Sequence, residues 1–478
     1  MTYEAVIGLE IHVQLLTKSK AYCSDNAEYG GMPNTQVSPI TIAHPGTLPV
    51  HNSSVVEKAI KMGLALHCDI TRYNRFDRKN YFYADLPKGY QITQDKTPIC
   101  TNGYVKIKTE NGEERKIGLI RIHMEEDSGK SMHDQDLHDT LVDYNRAGVP
   151  LIEVVSHPDI RSGEEAYEYV SEVRKLVRYL GICDGNMEEG SLRCDANISI
   201  RPVGTTEFGT KVEVKNMNSI SNVKRAIESE IIRQTEMLNN GEVIVSETRG
   251  FNALKGTTFS MRSKEAANDY RYFPEPDLPP FIVSDAYLNQ IQTDMPALPE
   301  TLYNKLRHEL NLSEYDTKTI TDDKDTVMYY LKICDYTKNY KAAANMILGS
   351  VKSYLNDSAI DINDFKLEPK SIADLIGLID EGKLSNSAAS QLVFPAMVES
   401  PNKTALEIAE SLNVIQTSDL GFISGIIAEV LAKYPEKVEE YRAGKKGLLG
   451  LFVGEVMKAS KGKADPKLVN SEVIKALS

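Results

Sequence analysis

Gly8-Leu9-Glu10-Ile11-His12-Val13 decides how this chain is read. Side chains alternate faces along a strand, so Leu9, Ile11 and Val13 share one face while Glu10 and His12 share the other. Three further segments repeat the device: Arg121-Ile122-His123-Met124-Glu125-Glu126-Asp127, Pro150-Leu151-Ile152-Glu153-Val154-Val155 and Leu192-Arg193-Cys194-Asp195-Ala196-Asn197-Ile198. In them Arg121, His123 and Glu125 are co-facial, as are Arg193, Asp195 and Asn197. A sheet that gives one face to carboxylates and imidazoles gathers them around something, most simply a metal ion and phosphate. Glu10 and His12, about 6.7 Å apart at Cα by strand rise, can share one ion. Carboxylate oxygen suits Mg²⁺, which takes one or two carboxylates and keeps several waters. Glu153, within an apolar run, needs a cation, a hydrogen-bond network or a raised pKa. Glu125-Glu126-Asp127 needs a metal or nearby Lys/Arg to offset its repulsion.

Working outward, the 478 residues suggest about three domains. Strands are expected at Val6-Leu15, Ile117-Met124, Leu151-Val155, Leu192-Ile200 and Thr210-Val214, mixed with two helices. One opens at Ser162-Gly163-Glu164-Glu165, which reads as a capping box, and the other runs from about Ser221 to Leu238 and stops at Asn239-Asn240-Gly241. Strands and helices do not alternate strictly, which favours an α+β fold with a mixed sheet over a doubly wound one. The run Pro274-Glu275-Pro276-Asp277-Leu278-Pro279-Pro280 closes this part. Helical periodicity then dominates, as in Met295-Leu312 and Tyr340-Leu355, and a further boundary falls near Ser400-Thr404. The expected division is 1–293, 294–404 and 405–478.

Composition narrows the class. Six dispersed cysteines with no C-x-x-C pair argue against a zinc ribbon or disulfide framework and fit a reducing compartment. No apolar run reaches the roughly 18 residues of a membrane span, and the N-terminus has no signal-peptide pattern. A cytoplasmic address is expected. The net charge of −13 hides an asymmetry: from Tyr441 onward eight basic residues face three acidic ones. That excess can attract a polyanion, although a solvated helical tail reads equally well on charge alone.

Two stretches pack basic and aromatic groups together: Phe76-Asp77-Arg78-Lys79-Asn80-Tyr81-Phe82-Tyr83 through Gln91, and Met261-Arg262-Ser263-Lys264 through Pro274. Arg78 and Lys79 can meet phosphates while tyrosines stack or hydrogen-bond. Gly129-Lys130-Ser131 looks like the end of a P-loop, but Met124 stands where its first glycine belongs and the acidic residues before it would repel phosphate. No G-x-G-x-x-G occurs.

Taken together, Glu10-x-His12, Asp77-Arg78-Lys79-Asn80-Tyr81-x-Tyr83, Asp85-Leu86-Pro87-Lys88-Gly89-Tyr90-Gln91, His123-x-Glu125-Glu126-Asp127, Asp143-x-Asn145-Arg146, Glu188-Glu189-Gly190-Ser191-Leu192-Arg193-Cys194-Asp195 and Asp269-Tyr270-Arg271-Tyr272-Phe273-Pro274-Glu275-Pro276-Asp277 resemble the B-subunit family of the heterotrimeric bacterial aspartyl/glutamyl-tRNA(Asn/Gln) amidotransferases. The tail Gly454-x-Val456-Met457-Lys458-Ala459-Ser460-Lys461-Gly462-Lys463-Ala464-x-Pro466 is similar to that family's tRNA-binding end. The resemblance implies a largely antiparallel catalytic cradle domain, a helical domain and a small all-helical tail. It implies a ligase that phosphorylates the side-chain carboxylate of Glu or Asp misacylated onto tRNA with ATP, then amidates it with ammonia.

In that scheme Glu10, His12, Glu125 and Glu153 hold Mg²⁺, and Arg78, Lys79, Tyr81 and Arg193 serve ATP. Glu126 and Asp195 complete the catalytic set with Glu10, His12, Lys79, Glu125, Glu153 and Arg193, while Lys458, Lys461 and Lys463 meet tRNA. The resemblance also implies two partner chains, an amidase (glutaminase) and a small third protein, in a heterotrimer acting on Glu-tRNA(Gln), Asp-tRNA(Asn) or both. Many members carry Cys-x-Cys and Cys-x-x-Cys for zinc. This chain has only Cys23 followed by Ser24-Asp25, and Ser38-Pro39-Ile40-Thr41 at the second pair, so no structural zinc is expected. Two rival readings stay open: a non-catalytic tRNA-binding scaffold, and a stand-alone ammonia-dependent ligase of glutamine-synthetase type.

Overall fold

The computed structural model describes residues 2–133, 135–136, 138–263, 270–416, 420–460, 464 and 466–477. It divides into two compact units, Met1–Leu298 and Pro299–Ser478.

The first unit is built on a ten-stranded sheet whose strand order places Tyr3–Gln14 in the middle. On one side it pairs with Leu192–Pro202, followed by Val212–Lys215, Glu247–Asn252 and Thr257–Ser263; on the other it pairs with Pro150–Ser156, followed by Glu114–Glu126. These pairings are antiparallel except for the parallel contact of Val212–Lys215 with Glu247–Asn252. The sheet is therefore mixed and largely antiparallel, as the irregular strand–helix order predicts.

Period-two alternation sorts its faces. Leu9, Ile11, Val13, Ile122, Met124, Ile152, Val154, Cys194, Ala196, Ile198, Val212 and Val214 are at most 2% exposed and join one core. That face is covered by helices α1 (Ser53–Ala65), α2 (Gly163–Tyr179) and α3 (Ile220–Asn239), which bring Ile60, Val170, Val173, Val177, Val223 and Ile227 to the same core. Burial at roughly 25 cal/mol per Å² of apolar surface makes this face the main source of stability.

Ser162 caps α2 by accepting from the Glu165 amide. The reciprocal half of a capping box is displaced, because Glu165 accepts from the Arg161 amide and the Arg115 guanidinium instead. Ser219 caps α3, and Gly241, in the left-handed region at φ 77°, follows its end.

In the second unit the expected Met295-Leu312 helix begins only at Pro299, the position where proline starts helices, and passes through a π turn over Lys305–Glu309. Tyr340–Met346 continues through another π turn into Lys352–Ser358. Its last part has its own apolar core of Ile423, Ile427, Phe452, Val456, Val469 and Val473. Among the described residues no helix is long and apolar enough to cross a membrane.

Candidate active site on the polar face of the sheet

Strand register assembles the site. His12 lies opposite Glu153 on one neighbour and Arg193 on the other, and Glu153 lies opposite His123. One row across the sheet therefore reads Arg193, His12, Glu153, His123. A step toward the C-terminal end of the first strand, Gln14 and Glu125 both lie opposite Leu151; a step the other way, Glu10 lies opposite Asp195.

His12, Glu125 and Glu153 bring their ligand atoms within 4.8 Å of one another. His12 Nε2 is 3.7 Å from Glu125 Oε1 and 3.9 Å from Glu153 Oε2. Buried His123 donates from the far side, with Nε2 3.0 Å from Glu153 Oε2 and 3.7 Å from Glu125 Oε2. Burial pushes the His123 imidazole down, but Glu153 and Glu125 outweigh it and raise it to about 9. Burial alone would push Glu153 up; His123 beside it, with His12 and Lys79, holds its carboxyl well below the usual range. Two carboxylates and one imidazole at this spacing fit a divalent cation.

Glu10, expected as a fourth ligand, brings its ligand atom within the same reach of Asp195 and Glu213. Its carboxylate accepts from Asn197 Nδ2 at 2.9 Å. Burial, reinforced by Glu153, Asp195 and Glu213, raises its pKa. The cation in that second group is Lys215, whose ammonium pairs with Asp195 and lies 3.3 Å from Glu213.

An open cavity of about 630 Å³ lies over this face, lined among others by His12, Glu125, Lys79, Tyr81, Arg193, Asp195 and Lys215. Burial lowers the Lys79 pKa, but Glu125, Tyr272 and Glu153 raise it overall, so the ammonium stays charged. Its nitrogen sits 4.9 Å from the Tyr270 ring and 5.7 Å from the Tyr81 ring. Arg193 donates to Asp127 Oδ2 at 2.9 Å, where Gln14 Nε2 also donates at 2.8 Å and Arg146 approaches to 3.6 Å. Burial pushes Asp127 up, yet Arg193, Arg146 and Gln14 hold it below its ordinary value.

Two expected residues point elsewhere. Arg78 sits one position from Lys79 on Asp77–Asn80, so alternation turns it away from the cavity. It is spent on a two-pronged pair with Glu275 (2.7 and 2.9 Å), a third bond to Asp277 at 3.0 Å, and the Tyr90 ring 4.1 Å away. Glu126 likewise faces away from Glu125. It pairs with Lys88 at 2.5 Å and accepts from the Ile92 amide at 2.9 Å. Each member of the acidic trio thus has a cation nearby: His123, shared with Glu153, for Glu125, Lys88 for Glu126, and Arg193 and Arg146 for Asp127.

Lys215, Gln14 and the Asp127–Arg193 pair belong to the site without standing out in the sequence, where His123 sits on the polar face with no role of its own. The alternation Val212-Glu213-Val214-Lys215 carried the signal for Lys215. Lys458 is exposed on the helix Leu449–Ala459. Lys461 and Lys463 lie outside the described residues, as does Asp269. Near Cys23, Asp25 accepts from the Ser38 amide and the Thr41 hydroxyl, and Thr41 Oγ1 is 3.4 Å from Cys23 Sγ, so hydrogen bonds tie these two loops.

The first unit is thus a mixed, largely antiparallel sheet with one polar face of carboxylates and histidines, and helices follow it in the chain. Residues 5–289 match the family model of the GatB/GatE catalytic domain, and residues 328–477 match that of the GatB domain. The chain belongs to the B-subunit family of the aspartyl/glutamyl-tRNA(Asn/Gln) amidotransferases. It is 49% identical to the B subunit of that enzyme in Thermodesulfovibrio yellowstonii, covering 100% of both chains. It is also 49% identical to that of Synechococcus sp. strain JA-2-3B'a(2-13), over 98% of this chain and 96% of the relative. With that of Chlorobium chlorochromatii it shares 47%, over 100% of both.

Proposed function

We propose that the chain is the kinase and amidating component of a tRNA-dependent amidotransferase. It phosphorylates the side-chain carboxylate of Glu or Asp esterified to tRNA(Gln) or tRNA(Asn), then lets ammonia displace the phosphate. A free carboxylate is a poor acyl donor because its leaving group would be oxide, so transfer of the terminal phosphoryl of ATP must come first. The observation that carries this reading is the convergence of His12, Glu125 and Glu153 on one another, with His12 and Glu125 lining a cavity that also presents Lys79 and Arg193.

His12, Glu125 and Glu153 would hold Mg²⁺, with Glu10 at the edge of the set; when bound, the ion neutralises charge on phosphate oxygens. Lys79 and Arg193 orient phosphate oxygens as point charge and fork respectively. His123, protonated between Glu125 and Glu153, holds both carboxylates in place. Asp127 fixes the Arg193 guanidinium, and Lys215 fixes Asp195.

No amidase-type nucleophile segment is evident in the sequence, so ammonia comes from a partner amidase (glutaminase) chain, and a small third protein completes a cytoplasmic heterotrimer. Residues beyond about 405, with Lys458 and its neighbours, form the tRNA-binding tail. The test is Glu125→Ala in the assembled enzyme, given ammonium and Glu-tRNA(Gln) or Asp-tRNA(Asn). Amide formation should be lost while the complex still hydrolyses glutamine. Retained ammonium-driven amidation would reduce the chain to a tRNA-binding scaffold.

A further inference from the structure

Asp143-x-Asn145-Arg146 stands out in the sequence, yet apart from the approach of Arg146 to Asp127 it has no part in the chemistry above. In the structure this segment wraps the short connection that carries Asp127. The Asp127 amide donates to Val149 O at 2.8 Å, and the Gly148 amide donates back to Asp127 O at 2.9 Å. Arg146 closes the wrap: its Nε donates to Ser128 O at 3.0 Å and its Nη2 to Gly129 O at 2.7 Å. The same Nε lies 3.6 Å from Asp127 Oδ2. Gly129 permits the close approach, since a Cβ there would lie 2.9 Å from Asp143 O and 3.1 Å from Asp85 O.

The segment is itself pinned on its other side. Asp143 Oδ1 accepts from the Asn34 amide at 2.9 Å, and Asn34 Oδ1 accepts from the Tyr144 amide at 2.8 Å. Asn145, which is buried, accepts from the Gln36 amide at 2.9 Å and donates to Met32 O at 2.6 Å. The buried Lys20 ammonium donates to Gln36 O at 2.7 Å and to Tyr144 O at 3.3 Å. Buried polar groups bonded in this way hold one geometry. Arg146 therefore reaches Asp127 from a fixed base.

Asp127 joins that base to the cavity. Its Oδ2 accepts from Gln14 and Arg193 and faces Arg146, while its Oδ1 accepts from the Ser128 amide at 3.0 Å. Asp127, Ser128 and Arg193 line the cavity; Arg146 does not. A guanidinium aims its donors in one plane, so the place of the Asp127 carboxylate decides where Arg193 points. We propose that Arg146 is a positioning residue, which sets Asp127 and through it the Arg193 guanidinium for the transferring phosphate. The proposal rests on the function given above and deepens it. The two carbonyl bonds alone would make Arg146 a strut for the backbone. Its approach to the oxygen that Arg193 shares gives it the second task.

The test uses the assembled enzyme with ammonium as nitrogen donor, so that partner-supplied ammonia is not limiting. Arg146→Ala should lower kcat/KM for ATP by about 10- to 100-fold, with KM for aminoacyl-tRNA within about twofold. Arg146→Lys keeps the charge but not the fork and should show the same split at about 3- to 10-fold; it also serves where Arg146→Ala does not fold. In an Asp127→Asn background, Arg146→Ala should cost less than about twofold more, because the path to Arg193 is already cut. The same loss with and without the Asp127 carboxylate would make Arg146 a backbone strut alone and overturn the proposal. So would an unchanged kcat/KM for ATP in both Arg146 variants beside a Glu125→Ala enzyme that no longer forms amide, an outcome that leaves the catalytic reading standing. A Glu125→Ala enzyme that still forms amide would overturn that reading first.

Discussion

Arg78→Ala separates a ligand-binding arginine from a structural one. The Glu275 side chain is fully buried and the Arg78 side chain is 18% exposed, so the pair is desolvated on both sides. Removing one member of such a pair leaves an uncompensated buried charge and costs about 3–5 kcal/mol. Glu275 would keep the Asp277 amide, 2.9 Å from Oε1, which places the loss near the lower bound, about 3 kcal/mol. The bond to half-exposed Asp277 adds at most about 1 kcal/mol. Urea unfolding of the full chain followed by circular dichroism measures this as a lowered midpoint at unchanged slope. Arg78→Lys keeps the charge but not the fork and should recover only part of the loss. Replacing both partners, Arg78→Met with Glu275→Leu, should recover most of it, because no buried charge remains. An Arg78→Ala chain that unfolds like the native one, yet shows a raised KM for ATP, would refute the structural assignment.

Two further outcomes follow from the same structure. His51 is packed among Tyr22, Phe76 and Phe281 with no partner on either ring nitrogen among the described residues, and burial lowers it to about 4. Its folded value lies below its unfolded one, so the unfolded chain takes up the proton first. The stability is whole above about pH 6.5 and is lost as pH falls toward 4, by about 2.5 kcal/mol at pH 4.5. His51→Phe should flatten the pH dependence of the urea midpoint between pH 7 and 4.5, and an unaltered slope would count against a neutral buried imidazole. On the tail, Lys458→Ala should weaken tRNA binding alike for different tRNAs and reduce the slope of log K against log salt by about 1; an unchanged slope would remove Lys458 from the tRNA contact.

The strands and their two faces were legible because alternation is a property of one strand. Glu10 and His12 had to be co-facial, and so did His123 and Glu125, whatever the partner strands were. Register between strands is not written in a single segment. Only the pairing of Glu10 with Asp195, and of His12 with Glu153, divides the carboxylates into a His12–Glu125–Glu153 group and a Glu10–Asp195–Glu213 group. Arg78 and Glu126 were misdirected for a different reason. Each was read as part of a motif block, Arg78-Lys79 and Glu125-Glu126-Asp127, when the same alternation already sets neighbours on opposite sides. Their partners, Glu275 and Lys88, lie 197 and 38 residues away, beyond the reach of any local pattern.

A polar sheet face is stable only if its charges are nearly balanced, and the way this one is balanced bears on its chemistry. Asp127 is matched by Arg193, Asp195 and Glu213 by Lys215, and Glu153 by His123. What remains beside His12 is the charge that Glu125 shares with Glu153, offset in part by Lys79 at the cavity wall. Glu10 meets this surplus by a raised pKa instead of an ion pair. The excess negative charge is thus confined to one point of a face otherwise compensated, while the Lys79 and Arg193 side chains, each held by a carboxylate, line the same cavity. In the function proposed, a divalent cation would relieve the first and a phosphate group would satisfy the second. Because the apolar face beneath supplies the stability, substitutions at His12 or Glu125 remove binding charge without removing core, which is why their loss should read out in activity before it reads out in folding.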